Sequence, residues 1–159
     1  MGSHPRSRTH RSLGDFVSAW EAAFQATNAA ENACRAASVV LIGRERRRAL
    51  VRAATHAANR TRIQTLLADP RELPALPPAY GRAGDLTTPE DGRTLVSNTE
   101  NALVPVFADA AAASSGTERS WAVDQAIDCA VTGIRWGGRS MAFPQSLPDG
   151  DVPTQSQDQ

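Results

Sequence analysis

The chain has 159 residues with 17 basic and 17 acidic side chains, a formal charge of zero, and 5% aromatics. That length suits one domain built on a single core, and the balanced charge exerts no overall pull toward nucleic acid or an anionic membrane. No apolar run approaches the roughly 20 residues of a bilayer span, and abundant alanine with few β-branched residues favours helix over sheet.

Residues 1–11 read as a loose basic arm (Arg6, Arg8, Arg11). It lacks the apolar stretch of a signal peptide, so the expected location is the cytoplasm. The single domain is expected over residues 12–146, followed by a disordered polar tail at 147–159, rich in Pro, Asp, Gln and Ser.

The first helix is predicted from Leu13 to Ile42, capped by Ser12, with Asp15 near the positive end of the dipole and Gly43 as its stop. Phe16, Trp20, Phe24, Cys34 and Leu41 share one face, and Thr27 and Glu31 fall on it. The second helix is predicted from Arg44 to Leu67. Ala49, Ala53, Ile63 and Leu67 form its stripe, with His56 among them, while Arg44, Arg46, Arg47, Arg48 and Arg52 read as a solvated face rather than a nucleic-acid patch.

Between Asp69 and Thr88 stand Pro70, Pro74, Pro77, Pro78, Gly81 and Gly84, which exclude a regular helix. This stretch is expected to cross one face of the bundle, pinned by Leu73, Leu76 and Tyr80. The third helix starts with Thr88 as cap, Pro89 in the first position and Glu90 and Asp91 behind it. It should end near Ser114, with Gly116 as terminator and a kink at Pro105. Its stripe is Val96, Leu103, Phe107 and Ala110, and Glu100 shares it.

Thr117 is expected to cap the fourth helix, which ends at Gly137-Gly138. Trp121, Ile127, Val131 and Ile134 are taken as its buried stripe, with Asp124 and Asp128 on or beside it. Phe143 is expected to fold back over the bundle, and Trp20, Trp121 and Trp136 to anchor the core. Cys34 and Cys129, isolated among alanines, read as small buried hydrophobes rather than a disulfide. The short connections at Gly43 and Gly116 make neighbouring helices antiparallel.

Each helix thus turns at least one ionisable side chain inward: Glu31, His56, Glu100, and Asp124 or Asp128. A bare carboxylate in an apolar core costs several kcal/mol, so such groups must pair, bind a cation or take up protons. Three arrangements fit the pattern. One is an internal salt-bridge network neutralised by Arg60 or Arg135. A second leaves the acids on the surface beside the stripes. The third is a divalent metal (iron, manganese or zinc) held by Glu31, His56, Glu100 and Asp124 or Asp128. His56 is the one histidine outside the arm, which excludes a multi-histidine site. The sequence has no glycine-rich phosphate loop, CxxC pair, HExxH or nucleophile–base–acid arrangement.

The stretches Ala30-Glu31-Asn32-Ala33, His56-Ala57-Ala58-Asn59-Arg60, Thr99-Glu100-Asn101 and Ile134-Arg135-Trp136, then Ala142-Phe143-Pro144, resemble the DUF4439 ferritin-like family, known chiefly from actinobacteria. The resemblance runs from about Asp15 to Leu147. It implies an all-α, ferritin-like antiparallel four-helix bundle with a long proline-rich crossover between helices 2 and 3. It also implies side-by-side pairing as a homodimer, and it brings no settled activity. Di-iron ferritin-like proteins carry Glu on two helices and Glu-x-x-His on the other two. Here Ala53 stands where the partner of His56 would be Glu, and Ile127 and Val131 follow Asp124 and Asp128 where histidine would be needed. The expectation is a non-enzymatic bundle with a buried polar network, acting through self-assembly or partner binding. The alternative is a metal-binding or iron-oxidising protein with a degenerate carboxylate site.

Overall fold

The computed structural model describes residues 12–67 and 86–138. These form four helices, α1 Leu13–Val40, α2 Gly43–Leu66, α3 Pro89–Ala113 and α4 Gly116–Arg135, and the described residues include no strand. No helix among them is long and apolar enough to cross a membrane. The expected arm, crossover, Phe143 closure and tail lie outside the described residues.

Two helix starts follow from local chemistry. Ser12 Oγ accepts from the Asp15 amide at 3.1 Å while the Asp15 carboxylate accepts from the Ser12 amide at 3.2 Å. Thr88 and Asp91 repeat this reciprocal box ahead of Pro89. The other two starts differ from expectation. α1 stops at Val40 because Leu41 turns extended and tucks its side chain into the core, so Gly43 opens α2 rather than ending α1. Its φ of +54° is a left-handed value that suits glycine. Ser115, not Thr117, precedes α4, and it makes no side-chain cap bond. α3 continues through Pro105.

Side-chain pairs fix the helix directions. Trp20, near the start of α1, donates from Nε1 to Ser114 Oγ beyond the end of α3, at 2.9 Å. At the other end, a β-carbon on Gly92 of α3 would lie 2.9 Å from Val40 Cγ2 and 3.0 Å from Leu41 Cγ, so only glycine allows this approach. Helices α1 and α3 are therefore antiparallel. The guanidinium of Arg48 lies over Trp136 and that of Arg62 over Trp121, at 4.9 and 4.3 Å, which sets α2 antiparallel to α4. Glu45 meets Arg93 at 2.9 Å and Arg52 meets Glu100 further along, so α2 and α3 run in the same direction. α1 packs on α2 and α3, and α3 on α4, while α2 and α4 are bridged mainly by long side chains.

Two apolar clusters fill the interior. One gathers Trp20, Phe24, Ile63, Leu103 and Phe107, with Trp121 stacked on Trp20 at 5.5 Å and edge-on to Phe107 at 6.0 Å. The other holds Cys34, Leu41, Ala49, Ala53, Val96 and Trp136. The polar layer lies between them.

The stripe expected for α4 is corrected by the structure. Ile127, Val131 and Ile134 are exposed, and Ala122, Cys129 and Gly133 face inward. The cause is close approach. Ser97 Oγ donates to the Gly133 carbonyl at 3.1 Å, and a β-carbon on Gly133 would sit 3.1 Å from Asn101 Cγ. Only the smallest residues of α4 fit against α3 at that spacing, so its larger aliphatic residues point outward.

Candidate functional site

Glu100 is the centre of the polar layer and is 0% exposed. It lies on α3 between Val96 and Leu103, on a face that packing commits to the interior. Its carboxylate receives a two-pronged contact from Arg52 of α2, Nε to Oε1 at 2.6 Å and Nη2 to Oε2 at 2.7 Å. His56, one turn after Arg52 and also fully buried, contributes Nε2 at 2.9 Å from Oε1. The remaining Arg52 nitrogen, Nη1, donates to Asp128 Oδ2 of α4, and Nη2 also reaches Cys129 Sγ at 3.4 Å. One guanidinium thus ties three helices together.

Burial alone would push the Glu100 carboxyl up. The hydrogen bonds from Arg52 and His56, with the Arg52 charge, outweigh it and hold Glu100 below the usual carboxylate range. Burial likewise works against the charge on Arg52, and Glu100 reverses that effect. Because Glu100 is ionised it can only accept, so His56 Nε2 carries the proton in this bond. Nδ1 of the same ring is buried without a hydrogen-bond partner among the described residues. Cys34 is pushed up to about 12 by burial, then by the nearby Glu100 charge, with Arg52 opposing. Cys129 is raised in the same way, burial first. Both thiols are protonated at neutral pH.

The four acids and the histidine singled out in the sequence do not share one place. His56, Glu100 and Asp128 meet around Arg52, with the Asp128 side chain half-exposed. Glu31 lies in the interior but pairs elsewhere: Arg35 binds Oε1 at 3.0 Å, and Arg60 Nη2 stands 3.2 Å from Oε2. That second contact is close enough for Coulomb attraction but misaligned for a hydrogen bond. Asp124 is exposed on the outside of α4. Arg60 therefore acts as a neutralising cation as expected, Arg135 makes no salt bridge among the described residues, and the guanidinium that matters most is that of Arg52, expected on the solvated face. The missed signal was spacing: Arg52 precedes His56 by four residues and so shares its side of α2.

Among the described residues one set of three metal-capable side chains has its ligand atoms within 4.8 Å of one another, namely Cys34, His56 and Glu100. The set does not fit a two-metal carboxylate centre. It offers a single carboxylate whose two oxygens are already engaged by Arg52. Thiol, imidazole and one carboxylate would suit a single borderline ion such as zinc.

The family described as "Domain of unknown function (DUF4439)" matches residues 17–147, most of the chain and nearly all of the four helices. No curated protein and no solved structure matches.

Proposed function

We propose that this chain, which belongs to the DUF4439 family, is a non-enzymatic ferritin-like bundle whose interior is closed by an Arg52–Glu100–His56 network and whose work is done by its surface, through self-assembly or partner binding. The observation that carries the reading is the buried guanidinium of Arg52 on both oxygens of Glu100. A buried carboxylate demands a cation, and here a side chain supplies it. The helix directions support the ferritin-like arrangement, with α1 and α4 running one way and α2 and α3 the other. A cytoplasmic setting in an actinobacterium and a homodimer belong to the same proposal. Elemental analysis of protein purified without chelator tests it. Iron, manganese and zinc well below one equivalent per chain is the expected result, and a stoichiometric ion overturns it.

A second reading has its own observation. Cys34, His56 and Glu100 converge, and His56 Nδ1 is left without a partner. In that reading a single divalent ion takes these three ligands and Arg52 turns away toward Asp128. Metal binding would require the Cys34 thiol to lose its proton, against the burial that raises it. Stoichiometric zinc lost in Cys34→Ala would support this reading over the first.

A further inference from the structure

The outward face of α4 carries large aliphatic residues that the interior does not use. Val123, Ile127, Val131 and Ile134 recur at spacings of four, four and three residues. That spacing sets them in one ridge along the helix. Their exposures are 41, 58, 40 and 48%. Isolated exposed aliphatics are ordinary, but a ridge of four along one helix is the apolar stripe of an element that expects a neighbour. The sides of α4 that meet the rest of the bundle are different ones. Ala122, Cys129 and Gly133 face the core, and Trp121, Gln125 and Asp128 reach toward α2.

The charges beside the ridge indicate the neighbour. Asp124 follows Val123 and Arg135 follows Ile134, so both stand on the same flank, about three turns apart. Both are exposed, and among the described residues neither takes part in a salt bridge. Consider a second α4 laid antiparallel on the first about a two-fold axis near the middle of the ridge. The symmetry keeps each flank beside its own copy and reverses its direction. Asp124 then meets Arg135 of the second copy, and Arg135 meets Asp124, while the aliphatic residues of the two ridges interleave. Acid and base at opposite ends of one flank complement themselves only in that antiparallel arrangement.

We infer that the ridge Val123–Ile127–Val131–Ile134 is the interface by which two copies of this chain pair, α4 against α4, with reciprocal Asp124–Arg135 contacts. This rests on the assembly reading above and supplies its surface. The ridge is one helix wide and about 17 Å long, which places the pairing at the small end of specific interfaces.

Sedimentation equilibrium of the full chain at low salt tests the inference. Wild-type protein should show a reversible monomer–dimer equilibrium. Ile127→Asp places a charge in the ridge and should weaken the dimer more than about thirtyfold, the effect of a central interface residue. Asp124→Arg alone and Arg135→Asp alone should each weaken it by about tenfold or more through like-charge contacts. Mixing those two variants should restore association, because each then offers the charge the other lacks. All three positions are exposed and none belongs to the buried network, so unchanged helical circular dichroism serves as the folding control. A monomeric full chain overturns the inference, whether other residues of the chain or a different protein covers the ridge. So does a dimer indifferent to Ile127→Asp, or a mixture that fails to re-associate. None of these outcomes alters the metal content, so failure here is distinguishable from failure of the closed-network reading.

Discussion

Removing the guanidinium of Arg52 would strip Glu100 of its two-pronged cation, with the His56 hydrogen bond still in place, in surroundings closed to water. Arg52→Met should therefore destabilise the protein by about 3–5 kcal/mol, the cost of an uncompensated buried charge. His56→Leu should cost less, about 1–3 kcal/mol, because Arg52 still engages both carboxylate oxygens. The triple variant Arg52→Met/His56→Leu/Glu100→Met removes both charges together and should be near neutral or more stable than wild type. Urea melts of the three proteins check the ordering, and a triple variant weaker than Arg52→Met would contradict it. Glu100 and His56 were legible in the sequence because each interrupts an apolar stripe at helical spacing. Arg52 was not, since four neighbouring arginines made a solvated face the simpler reading and a long side chain can turn inward from the edge of a stripe.

Cys34 and Cys129 allow a second test at this scale. Both thiols are buried and held protonated, so a thiol reagent at neutral pH should modify neither in native protein and both in denaturant. Fast modification of either in the native state would show that the cluster opens to solvent.

At the scale of the helix, the start of α3 is fixed by three side chains. Hydrogen bonding with the Thr88 side chain, then from the Thr87 and Thr88 amides, holds Asp91 down at about 2, against its ordinary value of 3.8. A depressed carboxyl stabilises the fold above its unfolded value and loses that contribution as pH falls through the folded one. Asp91→Asn should thus lower the thermal midpoint at neutral pH, with the difference from wild type shrinking between pH 3.8 and about 2. A gap unchanged down to about pH 2 would contradict the assignment. Thr88→Ala should cost about 1 kcal/mol, read in the same melts. The sequence displayed this start in full, as Thr-Pro-Glu-Asp. It misleads at α4, where the large aliphatic residues read as the core side. Periodicity finds a stripe but does not say which neighbour it meets, and the α3–α4 contact selected glycine and alanine instead.

At the scale of the molecule, the four-helix plan and its two short hairpins were readable from glycine, proline and caps. Which residues share a layer was not, because that depends on helix rotation and on the α2–α4 spacing that long side chains bridge. Glu31 shows the difference: it faces inward as its stripe indicates, yet local partners Arg35 and Arg60 hold it away from Glu100. The bundle is a scaffold whose buried carboxylates are neutralised from within.

In this scaffold Arg52 supplies the cation that Glu100 requires. The most direct measurement is the thermal midpoint of chelator-treated protein, with and without added zinc, manganese or ferrous iron. The midpoint should be unchanged by any of the three ions. A rise that saturates near one equivalent of ion per chain and disappears in His56→Leu would contradict it.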